Sequence, residues 1–522
     1  MDTKALRRKI LDLAIRGQLV PQDPADEPAS VLLDRIRAEK QKMVKEGKLK
    51  AKDIKNDSII FVGEDSLHYE KFADGSVKCI EDEIPFELPE GWAWARLGTV
   101  FSTVTGATPS TKDASLYGTD YPFYKPTDLD AGYNVCGAED SVSEKGYLSG
   151  RPLPKFSVLV TCIGATIGKT GYISNAGICN QQINAVLPNS EVLSDYTYFC
   201  MCSQYEQEQI WTNSSATTLP ILNKSKFDNL LFPIPPHEQQ SRIVERIKGL
   251  FFFVEKVQSN QESLKTTVGI AKSKILDLAI RGQLVPQDPN DEPASVLLER
   301  IRAEKEELIR QGKLKRDKKE SVIFRGDDNS YYLRTGKLVE SLEDWRFDAL
   351  PETWELCCLG DVCDYGDCIN VDTADIADDA WILDLEDIEK DTGAVIKKVT
   401  KAQRSSASTK HRFYSGQVLY SKLRPYLNKV VLSDADGYCT SEIIPLKFDR
   451  CVLPEYARYY LMSPTFLAYA DRCSYGVKMP RMGTADGKKA IIPLPPLVEQ
   501  KRIAKTIELL FSQLTRISEA LV

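Results

Sequence analysis

Residues 238–282 read EQQSRIVERIKGLFFFVEKVQSNQESLKTTVGIAKSKILDLAIRG, and the rest of the chain is organised around this stretch. Apolar residues recur at Ile243, Ile247, Leu250, Val254, Val257, Leu264, Val268, Ala271, Ile275 and Leu278. That is the alternating four-three spacing of a coiled-coil seam, with only Gln261 interrupting it. No proline lies inside the stretch, and Gly282 is placed to cap its end before Pro286. The spacing predicts one helix of 45 residues, roughly 68 Å long. A seam of that length needs a partner.

The chain supplies one from its two ends. PLPPLVEQKRIAKTI from Pro493 matches PIPPHEQQSRIVERI from Pro233, so the C-terminal segment repeats the first half of the helix. Its seam continues through Ile503, Ile507, Leu510, Leu514, Ile517 and Leu521. KILDLAIRGQLVPQDP from Lys9 recurs from Lys274, so the N-terminal segment repeats the second half, with Leu6, Ile10 and Leu13 on its seam. Together the termini rebuild nearly the whole central helix, short by about three residues. The expected arrangement is a cyclic pseudo-twofold one, with both terminal segments antiparallel to the central helix. The alternative is separate amphipathic helices in two cores.

Composition narrows the class. A chain of 522 residues holds at least two domains. No apolar run is long enough to span a bilayer and no signal peptide is visible, so a cytoplasmic protein with no membrane partner is expected. The thirteen cysteines are scattered without a CxxC pair and only three histidines occur, which predicts reduced thiols and no metal site. The net charge of −7 excludes a chain that is basic throughout, but not local basic faces.

In order, the segments expected are an N-terminal helix (1–17), a linker module (18–96), a globular domain (97–235), the central helix (236–282), a second linker module (283–358), a second globular domain (359–495) and a C-terminal helix (496–522). From Lys9 to Lys40 the match to Lys274–Lys305 fails only at Ala25/Asn290 and Asp34/Glu299. Each linker has a helix, from about Ala29 to Glu46 in the first, then strands with turn signals at Ala73–Gly75 and Arg334–Gly336. The globular domains resemble each other only weakly: SVLVTCIGATIGKTGYIS (157–174) stands where GQVLYSKLRPYLNKVVLS (416–433) does, and NQQINAVLP (180–188) parallels TSEIIPLKF (440–448). A frame kept nearly identical suggests two surfaces for two copies of one partner. Inserts that differ suggest two different things being read.

PIPPHEQQSRI and PLPPLVEQKRI at the junctions, the duplicated KILDLAIRGQLV, TGATPST (105–111) and SKLRPYLNKV (421–430), taken in order, resemble the specificity subunit of type I restriction-modification systems. The resemblance covers nearly the whole chain. It implies an α+β fold in which two globular, β-rich α/β target recognition domains are separated by a pair of long antiparallel helices. Each domain would read half of a split double-stranded DNA sequence, and the helices would set the gap. It further implies docking of two methylation subunits and of two restriction subunits. S-adenosylmethionine, ATP and Mg2+ would be used by those subunits and not by this chain. One departure is that Glu238 aligns with Val498 and Gln239 with Glu499, which leaves the helix start open by about a residue.

The residues themselves show no catalytic set. A self-sufficient adenine methyltransferase needs an Asn/Asp-Pro-Pro-aromatic loop and a glycine-rich cofactor site, and neither occurs. GATIGKT (164–170) has three residues between its glycines where a phosphate loop needs four, and reads as a tight turn into a strand. For DNA the second domain offers a run, 396–430, with nine cations and no acid, among them Lys398, Lys401, Arg404, Lys410, Arg412, Lys422, Arg424 and Lys429, interleaved with Tyr414, Tyr420 and Tyr426. The acid-rich stretch 361–391 before it suggests a domain with its charges segregated onto opposite sides. The first domain offers Lys112, Tyr117, Tyr124, Lys125, Lys169, Gln181, Gln182 and Asn184. Arg35, Arg37, Arg300 and Arg302 on the duplicated linker helices are candidate docking residues for the methylation subunits, among further cations that include Lys48, Lys313 and Lys315. The competing readings are a protein-binding scaffold without sequence-specific DNA recognition and a self-contained DNA methyltransferase.

Overall fold

The computed structural model describes residues 2–47, 49–51, 54–215, 219–312, 321–328, 330–345, 347, 350–404 and 408–520; Met1, Lys48, Lys313, Lys315, Leu521 and Val522 lie outside them. It divides into two compact units, Met1–Asn260 and Gln261–Val522. The central helix is continuous over His237–Ile280, 44 residues, about 66 Å. Gly282, at φ +70°, ends it, and the amides of Gly282 and Gln283 turn back to Ala279 and Leu278.

Within the first unit the helix Thr3–Ile15 runs antiparallel to the central helix. Thr3 Oγ1 donates to Gln258 (3.5 Å) and Arg7 pairs with Glu255 (3.1 Å) while its guanidinium lies over the Phe251 ring. Within the second unit Lys272 reaches Thr515 (3.3 Å) and the Phe511 ring on the helix Leu497–Glu519. The seam is less regular than its spacing. Ile243, Ile247 and Val254 are buried, but Val257 is exposed. Near the end of the central helix Leu276, Ala279 and Ile280 are buried, while the seam residues Ile275 and Leu278 are only half-buried. The same stripe, Leu11, Ala14 and Ile15, is buried in the N-terminal helix. The cause is that this end packs on a linker module, where Ala294, Leu297 and Leu298 present a broad apolar face, rather than on a single helix.

Each linker module is a 17-residue helix (Ala29–Lys45, Ala294–Arg310) followed by an antiparallel three-stranded meander. The meanders are Ser58–Val62, His68–Phe72 and Val77–Cys79, and Ser321–Arg325, Tyr331–Thr335 and Leu338–Ser341. The turns at Gly75 (φ +87°) and Gly336 (φ +63°) need the left-handed backbone that glycine supplies.

A two-stranded clasp closes each globular domain. Ala93–Arg96 pairs with Leu231–Ile234 in the first, and Glu355–Cys358 with Ile491–Leu494 in the second. The domain cores share one plan despite their divergent sequences. In the first, Val158–Thr161 lies between Ile183–Val186 and Thr170–Tyr172; in the second, Val418–Ser421 lies between Ile443–Leu446 and Val430–Leu432. Val158 faces Val186 and Tyr172, and Val418 faces Leu446 and Leu432, the same register displaced by 260 positions. These strands are buried on both faces, so their apolar content is kept while individual residues drift. GATIGKT forms a turn into the strand Thr170–Tyr172. Two short helices follow, Ser194–Met201 and Gln204–Asn213 in the first domain, Pro454–Leu461 and Pro464–Arg472 in the second.

The junctions to the long helices repeat atom by atom. Tyr196 donates to the Pro233 carbonyl and Tyr456 to that of Pro493; the amides of Leu193 and Leu453 donate to Gln240 and Gln500; Arg242 pairs with Asp26 and Arg502 with Asp291. Trp92 Nε1 donates to Gln239 (2.9 Å) where Trp354 Nε1 donates to Glu499 (3.0 Å). Gln239 and Glu499 thus hold one position, and the two helices start in the same register, at His237 and Leu497.

Candidate nucleic-acid interface

The cations of 396–430 do not form one free surface. Arg404 is half-buried in a carboxylate nest, at 3.0 Å from Asp384, 2.6 Å from Asp387 and 3.3 Å from Glu386, and the Asp387 bonds hold its guanidinium firmly charged. Lys401 pairs with Asp378 (3.2 Å) and donates to the Ile376 carbonyl. Lys398 pairs with Asp434 (2.7 Å) and sits over Trp381. Lys429 donates to the Leu385 carbonyl (2.6 Å), and burial lowers its pKa. Lys410 is 2% exposed, with Nζ on Ser408 Oγ. The expectation of charge segregated onto two sides is therefore wrong. Acids of 361–391 fold onto bases of 396–430, because opposite charges adjacent in sequence are easily brought together and a half-buried cation left unpaired is costly.

Among the described candidates of that run, Lys397, Lys398, Arg412, Tyr414 and Tyr426 are exposed, Lys398 with its charge already paired, and Lys422 and Arg424 are half-buried. Arg412, on the strand Lys410–Phe413, lies over the Tyr414 ring at 4.9 Å, a stacked guanidinium available to phosphate or a base edge. Arg424 sits in the left-handed region (φ +49°), before the turn Pro425–Leu427. Tyr420, grouped with the surface tyrosines by sequence, is 2% exposed, and burial pushes its phenol up.

In the first domain two candidates are structural. Tyr124 is fully buried and donates to the Asn175 carbonyl (2.9 Å); Asn184 is 2% exposed and accepts from Thr105 Oγ1 (2.7 Å). Both lie on strands whose polar groups are satisfied internally, as burial requires. Lys125 pairs with Asp140 and Lys169 with Asp130 (2.6 Å). Tyr117 is half-buried and donates to the Pro109 carbonyl. Lys112 and Gln181 are exposed, and Gln181 accepts from Thr108 Oγ1; Gln182 is half-buried and accepts from Asn180. Of these candidates, the loop of Lys112 together with Gln181 and Gln182 remains open to a ligand.

On the linker helices Arg35 bridges Glu27 and Glu191 (2.8 Å), tying module to domain, and Arg300 pairs with Glu292 (2.5 Å). Arg37 pairs with Asp34, and Arg302 is exposed. Among the described residues no group of three or more His, Cys, Asp or Glu side chains could hold a metal ion, and no helix is long and apolar enough to cross a membrane. All thirteen cysteines are free, and burial pushes Cys162 and Cys179 up to about 12, which leaves them unreactive. Sequence reasoning missed the exposed loop after the second helix of each domain, with Leu219 and Ile221 in one and Tyr475, Val477 and Met479 in the other. Its signal was available: an apolar residue beside a proline where a polar loop is the norm.

The profile of the family described as "Type I restriction modification DNA specificity domain" matches residues 89–264 and 351–521, one match per unit plus the helix that follows each domain. The chain is 29% identical over 408 residues to the EcoEI type I restriction enzyme specificity subunit of Escherichia coli, covering 69% of this chain and 61% of that protein. It is 28% identical over 412 residues to the EcoAI specificity subunit of Escherichia coli, covering 69% and 62%. The chain thus spans about six-tenths of the length of these two relatives. A chain from a solved structure of a type I R-M system matches with a TM-score of 0.53 at 16% identity, covering 84% of this chain and 94% of that one, a likeness of fold.

Proposed function

Because the chain belongs to the type I restriction modification DNA specificity family, we propose that it is the sequence-reading subunit of a methylation and restriction complex. It recognises a bipartite double-stranded DNA target, one half through each recognition domain. It carries out no chemistry itself. The methyl transfer, with S-adenosylmethionine, and the ATP- and Mg2+-dependent cleavage belong to partner methylation and restriction subunits. The observation that carries this reading is the pairing of one conserved core register with two different surfaces. The strands keep partners 260 positions apart, whereas Gln182 stands where Glu442 does and Ile221 where Arg481 does. A frame that repeats while its solvent-facing residues change suits two readers of different half-sites. The long helical segments serve as the spacer, and the duplicated linker modules offer equivalent surfaces to two methylation subunits.

The test is methylation mapping. The chain is co-expressed with its neighbouring methylation subunit in a methylation-free host, and modified adenines are located genome-wide. A split motif with a fixed gap, absent when this chain is omitted, is the expected result. No motif from a stable complex would overturn the reading, and a motif produced by this chain alone would make it an enzyme.

A further inference from the structure

Each recognition domain carries the same backbone clamp, made in the second domain by the interface candidates Lys422 and Arg424. In the first domain the amide of Gly164 donates to the Pro220 carbonyl (3.0 Å), that of Leu222 donates to Cys162 (2.8 Å), and Ile163 bridges Ile221. In the second, the amide of Arg424 donates to the Pro480 carbonyl (2.7 Å), that of Met482 donates to Lys422 (3.0 Å), and Leu423 bridges Arg481. All three links recur at a displacement of 260 positions.

The second clamp is reinforced. Arg481 grips Glu442 through Nε (3.0 and 3.1 Å) and Nη2 (2.8 Å), and Ser474–Tyr475 pairs with Arg481–Met482 to make a hairpin. Its tip turns at Gly476 (φ +106°) and projects Tyr475, Val477 and Met479, respectively 64%, 103% and 47% exposed. The equivalent of Met479 in the first domain is Leu219, itself 51% exposed.

Apolar side chains held out on a clamped backbone cost free energy until something covers them, and they lose little freedom when it does. Cations outnumber acids around the second tip: Arg424 reaches the Lys478 carbonyl, Lys422 holds the clamp, Glu442 is already paired with Arg481, and Asp486 lies beside Gly483 and the Tyr475 ring. The partner is therefore anionic with apolar edges, as a DNA groove is, with its thymine methyls and base steps. A protein docking twice would need equal tips. These differ, with Leu219 against Met479 and Ile221 against Arg481.

We propose that the two tips enter the DNA and determine base choice, Leu219–Ile221 in one half-site and Tyr475–Met479 in the other. This rests on the DNA-reading function above. The test uses the full chain with its methylation subunit, and duplexes carrying the mapped motif with single base changes in each half-site. The double variant Val477→Ser, Met479→Ser changes only exposed side chains. It is expected to lose discrimination roughly ten-fold or more in one half-site, with the other half-site and the melting temperature unchanged. Unchanged discrimination in both halves overturns the proposal, as does equal loss in both. Wild-type protein that discriminates in neither half would overturn the reading beneath it. Lys478→Glu is expected to weaken all duplexes alike and to flatten the salt dependence; unchanged affinity places the tip away from the phosphates and counts against it.

Discussion

Exchange of Glu499 for glutamine isolates the cost of a buried carboxylate at a position where the molecule carries its own control. Glu499 is 1% exposed; Oε1 accepts from Gln287 Nε2 at 2.6 Å and Oε2 from Trp354 Nε1 at 3.0 Å. Burial, the largest influence, pushes its carboxyl above the ordinary range despite these bonds and the nearby Arg502. A folded pKa above the unfolded one means that the carboxyl's stabilising contribution is complete below the unfolded pKa, about 4.3. It is lost as pH rises through the folded value. Glutamine avoids that loss. Trading two charge-assisted hydrogen bonds for two neutral ones forfeits about 1–2 kcal/mol, and releasing a buried carboxylate returns a similar amount or more. Gln239 shows that an amide fits, accepting from Trp92 and donating to Gln22 (2.9 Å). Glu499→Gln is therefore expected to lie within about 1 kcal/mol of wild type at pH 5 and to gain up to about 1 kcal/mol on it by pH 8. Calorimetry of the full chain reads this as a relative shift of roughly 2–4 °C in the transition of the second unit. Glu499→Ala, which strands two buried donors, should lose about 2–4 kcal/mol at both pH values. A Glu499→Gln variant that is 2 kcal/mol less stable at pH 8 and recovers at pH 5 would refute the argument.

Tyr124→Phe removes one buried hydrogen bond and should cost about 1 kcal/mol of stability in urea titration, while DNA affinity stays at the wild-type level. Arg412→Ala should weaken DNA binding and reduce the salt slope by about one unit without moving the melting temperature. Arg404→Ala should do the reverse, costing about 3 kcal/mol by leaving Asp387 buried without its partner, which equilibrium unfolding would register. Inserting four residues, about one turn or 6 Å, into the central helix should change the methylated motif's gap and leave both half-sites intact; altered half-sites would defeat the spacer assignment.

The long helix, its caps and the repeated linkers were legible because their signals are local: a seam, a glycine at the end, a near-identical copy. The candidate contacts were less so. Tyr124, Asn184 and Lys410 are chemically suited to DNA, yet their strands turn them inward, and nothing in a two-residue alternation says which face is wet. Arg404 and Lys401 looked free because their carboxylates, Asp387 and Asp378, belong to a different segment and meet them only on folding. The loop ending at Met482 carried only a small local signal, an apolar residue beside Pro480, while the backbone links to Lys422 and Arg424 that hold it are not encoded in composition. The Gln239/Glu499 mismatch, which left the start of the helix open in the sequence, vanishes once both are seen accepting from a tryptophan.

The clasp has an evolutionary corollary. Residues 97–230 and 359–490 each leave and rejoin the frame through adjacent antiparallel strands, about 5 Å apart. The backbone between enters and leaves at that one doorway, and side-chain ties such as Arg35–Glu191 and Leu193–Gln240 seat it on the frame. Because the entropy of closing such an excursion grows only as the logarithm of its length, lengthening or rebuilding the interior hardly taxes the frame. Each half of the molecule is thus built so that the interior can be rewritten while the duplicated frame around it is kept, which is the pattern of near-identical linkers and divergent inserts the chain displays.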